Sequence, residues 1–315
     1  MPDQPRIVFM GTPEFAVPSL RILLDHGCSV AAVVTAPDKP RGRGQQVSFT
    51  AVKEEALRHS LPILQPDLLR EPSFADALRE LAPDLMVVVA FRILPPEVFT
   101  LPRLGAFNLH ASLLPRYRGA APINWAVING ETETGVTTFL LQEKVDTGSM
   151  LLQARVTIGP ADTAGDVHDT LAGVGAEVVL HTVRLLVSGS ARPRPQDDEL
   201  ASAAPKIFKE DCRLDWSQPA VSLYNRVRGL APVPTAWTTL GEQIWKIFRA
   251  RVVDDTAVGS ELPGTIVHVD RISCAVRTGR GTLAVEEVML EGRKRLSIEE
   301  FLRGHPLTVG MVLGA

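Results

Sequence analysis

The sequence has few cysteines, the residues that could link a domain covalently through disulfide bonds. Its three cysteines, Cys28, Cys212 and Cys274, are scattered singly along 315 residues and form neither a disulfide framework nor a zinc-ligand spacing. The formal net charge is only −3, while 45% of the residues are hydrophobic. These proportions exclude a disordered or fibrous protein, and the length is sufficient for one large or two ordinary globular domains.

The sequence also lacks an obvious membrane segment and a strong charge bias. We expect no hydrophobic run long enough to cross a bilayer, and no charged and then apolar leader precedes the first predicted strand. A cytoplasmic protein without a membrane partner is therefore expected. The net charge is +2 from Lys206 to the end and −5 before it. Charge alone does not predict a nucleic-acid partner, although a basic patch can exist within a neutral total.

The first part of the chain alternates between strand and helix patterns. Residues 6–10 form a short apolar run, residues 15–26 carry apolar side chains at helical spacing, and residues 29–35 are rich in β-branched side chains. A more hydrophobic run at 84–90 predicts a central strand. We therefore expect an α/β N-terminal domain with a Rossmann-like, doubly wound and mostly parallel sheet. The turn at Gly11 lacks the GxGxxG pattern, which argues against a dinucleotide cofactor.

Three more helices are predicted in the same half of the chain. Two short ones cover 51–59 and 73–81, the second starting from Ser73 as its N-cap. A long helix begins after Thr163 and continues to about Val187. Thr163 is followed three residues later by an acidic residue, and this pair is a signature of a helix start.

The pattern changes after residue 190. Residues 191–204 hold two Arg-Pro pairs and several acidic residues, which is typical of a linker or peripheral loop. About five short alternating segments follow, and they predict a small β-barrel of the oligonucleotide-binding (OB) type: 236–240, 243–253, 264–269, 273–277 and 282–290. We therefore expect an N-terminal domain over 1–190, a linker over 191–208 and an OB-like C-terminal domain over 209–315.

Three polar residues stand out among segments that otherwise resemble core. Asn108 and His110 are two residues apart in a strand-like run, so both side chains point to one face of an extended backbone. Asp146 lies in a turn after the next strand-like run. An amide, an imidazole and a carboxylate can polarise a carbonyl, move a proton and orient the imidazole without a metal. Each residue alone is more often structural, and it is their combination that predicts a catalytic site.

The sequence resembles a known family at several separated places. Residues 108–119, Asn-Leu-His-Ala-Ser-Leu-Leu-Pro-Arg-Tyr-Arg-Gly, followed by Asp146-Thr147-Gly148, resemble the signature of the 10-formyltetrahydrofolate-dependent formyltransferases. The opening run 9–16 and the loop 37–44 resemble the branch of that family that formylates methionyl initiator tRNA. The likeness extends from Arg6 to about Gly310.

The resemblance implies a reaction and its partners. The chain is expected to transfer the formyl group of 10-formyltetrahydrofolate, a co-substrate, to the α-amino group of methionine on initiator tRNA for translation initiation. Asn108 and His110 would donate hydrogen bonds to the formyl oxygen, and Asp146 would hold His110 and help proton movement. The resemblance implies no metal, and we expect a monomer.

The resemblance also assigns binding residues. Folate contacts are expected from two loops and one turn residue: Phe91, Arg92, Ile93, Leu94, Ser112, Leu113, Leu114, Pro115 and Val145. The pair Phe91-Arg92 departs from the family, which has Tyr-Gly there in a segment one residue longer. Contacts to tRNA are expected from the first turn, a cationic loop and a cationic cluster near the C-terminus: Gly11, Thr12, Pro13, Arg41, Arg43, Arg293, Lys294 and Arg295.

Three alternative functions remain open at the level of sequence. A formyltransferase with the same core could act on a nucleotide sugar or another small amine. A hydrolase could release formate from the folate without any acceptor. A non-catalytic RNA-binding protein is the third alternative, and it would have no use for a buried Asn-His-Asp set.

Overall fold

The chain folds into two compact units in the computed structural model, which describes residues 4–41, 46–257 and 259–314. The first unit comprises Met1–Gly119, Thr134–Val156 and His168–Ala204, and the second comprises Ala120–Glu133, Thr157–Val167 and Pro205–Ala315. Residues 191–204, which the sequence pattern assigns to a linker, fall within the first unit.

The first unit is organised around a mostly parallel sheet. Its strands, in chain order, are β1 (Ile7–Gly11), β2 (Val30–Val34), β3 (Lys39–Arg41), β4 (Gln46–Ser48), β5 (Ile63–Leu64), β6 (Leu85–Val89), β7 (Ala106–His110), β8 (Glu133–Leu140) and β9 (Met150–Thr157). Within the described residues, seven of them form one sheet in the order β5-β2-β1-β6-β7-β8-β9, and β3 pairs with β4. The pairings from β5 to β7 are parallel, whereas β8 is antiparallel to β7. The central strands β1 and β6 are buried along their whole length, as their apolar runs predict.

Each of the four helices predicted from the sequence is present, within a few residues of its predicted bounds. In chain order the helices are α1 (Val17–Asp25), α2 (Ala51–Arg58), α3 (Pro72–Leu81), α4 (Pro96–Phe99), α5 (Pro122–Ile128), α6 (Ala164–Val187), α7 (Ala220–Leu230) and α8 (Ile298–Gly304). The start of α3 was predicted wrongly: Glu71, not Ser73, is the N-cap, because Pro72 takes the first helical position, where no N–H is needed. The predicted start of α6 is confirmed, since the Thr163 hydroxyl accepts from the Asp166 N–H at 3.2 Å and the Asp166 carboxylate accepts from the Thr163 N–H at 2.9 Å.

The expectation of no membrane-length segment needs correction. Among the described residues, α6 is long and apolar enough to cross a membrane by length and composition, with a mean hydropathy of 1.5 over its best stretch. Half of that stretch is buried within the protein. Gly175 of α6 lies against Leu109 of β7, and the Thr182 hydroxyl is 2.8 Å from that of Thr138 in β8. These contacts are those of a core helix packed on a sheet. A core helix can be as long and as apolar as a membrane-spanning helix.

The second unit is built on antiparallel strands. They are β10 (Ala236–Leu240), β11 (Gln243–Asp254), β12 (Ile266–Val269), β13 (Cys274–Arg277), β14 (Thr282–Leu290) and β15 (Leu296–Ser297). The sheet order is β10-β11-β14-β13-β12, and β15 also pairs with β14. The fully buried Trp245 and Phe301 lie 5.3 Å apart in its hydrophobic core. The predicted fold class is thus confirmed as a mostly parallel α/β sheet followed by a separate antiparallel β domain.

A buried carboxylate ties two helices of the first unit together. Glu55 of α2 is only 2% exposed, and both of its oxygens accept from Arg21 of α1 at 2.9 Å. Arg58 donates to the same carboxylate at 2.8 Å, and His59 lies 3.4 Å from it. Hydrogen bonds from Arg21, together with those from Arg58 and His59, lower the pKa of Glu55 to about 2 against the opposing effect of burial.

We predict that Glu55→Gln lowers the free energy of unfolding at pH 7 by about 1.5–3 kcal/mol, the usual value of a hydrogen bond to a charged group. Because the pKa of Glu55 is depressed in the folded state, its contribution is present above the ordinary glutamate pKa of about 4.3 and is lost as the pH falls toward about 2. Urea unfolding between pH 7 and pH 3 should therefore show a weaker pH dependence in the variant.

Glu54→Gln is the matched control, because Glu54 is the exposed neighbour of Glu55 on the same helix. It should leave both the stability and its pH dependence close to those of the parent. Equal pH dependence in the Glu55 variant and the parent would contradict this role for Glu55.

Candidate active site

Asn108 and His110 share one face of β7, as their spacing predicts. Leu109, between them, faces the other way and lies against Gly175 of α6. The antiparallel partner β8 places Phe139 opposite Asn108, and the Phe139 ring meets the His110 imidazole edge to face at 6.5 Å between centroids. The site is therefore built on two packed strands rather than on a mobile segment, which favours fixed geometry.

His110 is held through one ring nitrogen. Its Nε2 lies 2.8 Å from the carbonyl oxygen of Tyr117. Because a carbonyl can only accept, Nε2 must carry a hydrogen and donate it. Nδ1 faces the Asp146 carboxylate at 3.9 Å, and the two side chains are only 7% and 10% exposed. In the neutral imidazole this geometry leaves Nδ1 as the basic nitrogen.

Asp146 is positioned by an unusual turn. Its backbone is in the left-handed region, with φ of 55°, and aspartate tolerates that region better than most residues. One carboxylate oxygen accepts from the Gly119 N–H at 2.9 Å. Gly148, two residues on, approaches the chain so closely that a Cβ there would lie 1.6 Å from the Leu140 carbonyl oxygen. The turn therefore depends on a residue without a side chain at position 148.

The loop after β7 is fixed by buried hydrogen bonds. The Thr137 hydroxyl donates to the Ser112 carbonyl at 2.7 Å and accepts from the Leu114 N–H at 3.1 Å. Gln153 donates to the Leu114 carbonyl at 2.9 Å, and the Ser112 hydroxyl donates to the Arg116 carbonyl at 2.6 Å. Every one of these groups lies in the first unit. The loop that carries the Tyr117 carbonyl is therefore rigidly held.

Asn108 is the site residue with uncommitted donors. Asn108 is half-buried, and within the described part of the chain its carboxamide makes no hydrogen bond. The Nδ1 to carboxylate separation of 3.9 Å exceeds a hydrogen bond, so a third atom can lie within hydrogen-bond distance of both groups. The site can thus present an amide donor, an imidazole and a carboxylate to one small polar group.

The predicted folate residues divide between a cavity and the rigid loop. Arg92, Ile93 and Leu94 line a cavity of about 480 Å³ together with residues 67–70 and Glu143. Ile93 is 72% exposed, and Phe91 lies under the Arg92 guanidinium at 5.4 Å. Arg92 also donates to the carbonyls of Pro66 and Asp67, which closes one wall of the cavity.

The remaining predicted folate residues lie in the loop and the turn. Ser112 and Leu114 are buried, and Leu113 contacts the β8 backbone near Gly135. Pro115 follows in the same loop, whereas Val145 is 47% exposed in the turn before Asp146. Among these, Val145 presents the most accessible side chain.

The predicted RNA residues lie in both units. Gly11 ends β1, where a Cβ would lie 2.7 Å from that of Ala16, and Pro13 is exposed beside half-buried Thr12. Arg41 belongs to β3, and Arg43 lies outside the described residues. In the second unit, the cationic cluster Arg293–Lys294–Arg295 is exposed. Arg295 pairs with Glu287 and stacks over Phe248 at 4.3 Å, so its charge is partly engaged.

Sequence reasoning missed several groups that hold the site. The Tyr117 carbonyl has no signal in sequence because it is a backbone atom. Gln196 donates to the carbonyls of Asp146 at 2.8 Å and Gly148 at 2.9 Å, although it lies in the segment predicted as a linker. Arg118 donates to the Gln196 side-chain oxygen through Nε at 3.0 Å and Nη2 at 2.8 Å. Among the described residues there is no group of three or more His, Cys, Asp or Glu side chains that could hold a metal ion.

Comparisons with known protein families agree with this architecture. Residues 5–183 match the family described as Formyl transferase, and residues 206–306 match the family described as Formyl transferase, C-terminal domain. The chain therefore has the fold of a formyl transferase and belongs to that family.

Comparison with curated relatives identifies a branch within the formyl transferases. The chain is 48% identical to a methionyl-tRNA formyltransferase of Bacteroides thetaiotaomicron, over 97% of each chain. It is also 48% identical to one of Geobacter sulfurreducens, over 98% of this chain and 96% of the relative. The chain belongs to the methionyl-tRNA formyltransferase family.

Solved structures share the fold at lower identity. HypX from Aquifex aeolicus, crystallised with tetrahydrofolic acid, is 19% identical with a TM-score of 0.65 over 96% of this chain, which spans 48% of that chain. WlaRD, a sugar 3N-formyl transferase, is 17% identical with a TM-score of 0.65 over 93% of this chain and all of its own. At such identities the likeness shows the fold alone.

We predict that Gly148→Ala is strongly destabilising, because the new Cβ would lie 1.6 Å from a backbone carbonyl that cannot rotate away. The cost should reach or exceed the upper end of the range of about 1–3 kcal/mol for overpacking. Urea unfolding measures it directly.

Gly173→Ala is the control, because nothing lies within 4 Å of a Cβ there. In the middle of α6, alanine should be neutral or stabilising by roughly 1 kcal/mol. Parent-like stability of the Gly148 variant would show that the turn is not constrained as described.

Proposed function

We propose that this chain transfers the formyl group of 10-formyltetrahydrofolate to the α-amino group of methionyl initiator tRNA, giving formylmethionyl-tRNA for translation initiation. The observation that carries the proposal is the grouping of Asn108, His110 and Asp146 at the carboxyl end of β7, where α/β sheets bind ligands. Membership in the family and relatives about 48% identical over nearly their whole length support this reaction.

The residues present fit a formyl donor. Bound 10-formyltetrahydrofolate supplies the formyl group. The Asn108 carboxamide, without a partner among the described residues, can donate to the formyl oxygen. A protonated Nδ1 of His110 can donate to the same oxygen, since Nε2 is already committed to Tyr117. Two donors aimed at an oxygen that gains negative charge stabilise the transition state, and each is commonly worth about 10²–10³ in rate.

Asp146 has two roles in this proposal. One carboxylate oxygen accepts from Gly119, and the carboxylate faces Nδ1 of His110, so it can orient the ring. The carboxylate can also receive a proton from the attacking amine, and folate N10 would take up a proton as its bond to the formyl carbon breaks. An α-amino group has an ordinary pKa of about 8, so a usable fraction is neutral at neutral pH and a mild base is sufficient.

We assign the cavity beside Arg92, Ile93 and Leu94 to the folate co-substrate. Its volume of about 480 Å³ is in the usual range for a small-molecule site. The rigid loop with Ser112, Leu113, Leu114 and Pro115 and the exposed Val145 would complete the folate contacts. Phe91 would contribute mainly by supporting the Arg92 guanidinium.

We assign the tRNA to basic groups of both units. The first unit would carry catalysis and residues 209–315 would bind tRNA. In the cationic cluster, Arg293 and Lys294 are better candidates for phosphate contacts than Arg295, which is paired with Glu287. Gly11, Thr12, Pro13, Arg41 and Arg43 are proposed to approach the acceptor end. We further propose a cytoplasmic monomer without a membrane partner.

The reaction is tested by incubating the purified protein with 10-formyltetrahydrofolate and methionyl initiator tRNA, and following formylmethionine. Methionyl elongator tRNA and free methionine are the matched acceptors. Transfer to the initiator species alone is expected. Formate release without transfer would identify a hydrolase, and formylation of amino sugars in place of tRNA would identify a small-amine formyltransferase; either result overturns the proposal.

We predict that His110→Ala lowers kcat by about 10²–10⁴, the usual contribution of a positioned proton-transfer group, and leaves the Kd for initiator tRNA unchanged. Single-turnover formylation and a separate tRNA binding titration distinguish the two effects. His181→Ala is the control, because His181 is an exposed histidine on α6. Parallel loss of tRNA binding and turnover in the His110 variant would contradict the assignment of its role.

A further inference from the structure

Residues 194–204, which we call the strap, lie across both loops that carry the active site. The strap has little regular structure, yet its backbone pairs with the chain at two places. Arg194 exchanges two backbone hydrogen bonds with Met150, at 2.7 and 2.9 Å. Arg118 donates to the Ser202 carbonyl at 2.8 Å and accepts from the Ala204 N–H at 2.7 Å. All of these residues lie in the first unit.

Two side chains of the strap hold the immediate supports of His110 and Asp146. The Gln196 carboxamide donates to the carbonyls of Asp146 and Gly148, while its oxygen accepts from Arg118. The Ser202 hydroxyl accepts from the Tyr117 N–H at 2.9 Å. Tyr117 is the residue whose carbonyl accepts from His110. The strap thus contacts Asp146 directly, at its backbone carbonyl, and reaches His110 through Tyr117.

The strap contacts residues whose backbone conformations are strained. Tyr117 and Asp146 both have left-handed backbones, with φ of 59° and 55°, a strained conformation that persists in such residues only where the surrounding structure imposes it. Gly119 passes so close to the strap that a Cβ there would lie 2.6 Å from the Ala204 carbonyl oxygen. Its N–H is the donor to Asp146. The strap therefore contacts both strained residues and the donor that orients the carboxylate.

We propose that Gln196 and Ser202 are positioning residues for formyl transfer: Gln196 fixes the Asp146 turn, and Ser202 fixes the Tyr117 carbonyl that orients His110. This inference rests on the function proposed above. Because neither residue touches the reacting atoms, their loss should lower kcat and leave the KM values for both substrates nearly unchanged. A misplacement of catalytic groups by about 1 Å can cost about 10²-fold in rate.

Gln196→Glu is the sharpest variant, because it keeps the shape and the oxygen that Arg118 contacts but replaces the amide donor by an oxygen facing two carbonyls. We expect kcat to fall by about 10–100-fold, in line with the cost of displacing catalytic groups by up to about 1 Å, with KM values close to those of the parent and the protein folded at the assay temperature. Leu200→Glu is the matched control: it adds the same charge to the strap at a side chain that is 63% exposed. It should retain the parent kcat.

Ser202 gives an independent test by rescue. Ser202→Ala removes the acceptor for the Tyr117 N–H and should lower kcat, whereas Ser202→Thr keeps a hydroxyl at an exposed position and should restore it. Parent-like kcat in both Gln196→Glu and Ser202→Ala would overturn the proposal. So would a fall in kcat that the Leu200 control reproduces, or one accompanied by raised KM values or by unfolding of the variant at the assay temperature.

A measurement made without substrate tests the role of the strap independently of the proposed reaction. Amide hydrogen exchange at Gly119, whose N–H donates to Asp146, should be faster in Gln196→Glu than in the parent and the Leu200 control. Unchanged exchange at Gly119 would overturn the role of the strap even in an active enzyme. Lack of formyl transfer by the parent, with faster exchange in the variant, would instead refute the reaction and retain the positioning of Asp146.

Discussion

The hydrogen bond from His110 to the Tyr117 carbonyl is the constraint on which the rest of the site depends. At 2.8 Å it commits Nε2 as a donor and so decides that Nδ1 is the nitrogen facing Asp146. If the ring were free to turn, the imidazole would have no defined relation to the Asn108 amide on the same strand face. A backbone carbonyl, which cannot titrate, is a durable partner for this purpose.

Several parts of the first unit hold the Tyr117 carbonyl in place. The loop after β7 is locked by Thr137 and Gln153, and its far end is paired with the strap. Gly119 and Gly148 allow backbone segments to approach more closely than any side chain would permit. The site therefore combines strand rigidity with two strained turns, an arrangement typical of preorganised catalysis.

Local sequence patterns predicted those features of the fold and site that depend on residues close together in the chain. The two-residue spacing of Asn108 and His110 gave a shared face because strands alternate, and the capping pair at Thr163 gave the start of α6. The contacts of Gln196 with Asp146 and of Ser202 with Tyr117 join residues 50 and 85 positions apart, and no local pattern encodes them. Proline-rich, acidic sequence there indicated a linker, yet residues 191–204 fall within the first unit. The family resemblance named the reaction but carried no information on these supports.

The most direct test of this account is the hydrogen position on the His110 ring, measured by long-range nitrogen–proton correlation NMR on the uniformly labelled protein. The His110→Gln variant assigns the resonance. When His110 is neutral, the structure predicts a hydrogen on Nε2, where it donates to Tyr117, and none on Nδ1. A neutral ring protonated at Nδ1, or an averaged mixture of the two forms, would contradict the central claim that the Tyr117 carbonyl sets the chemistry of His110.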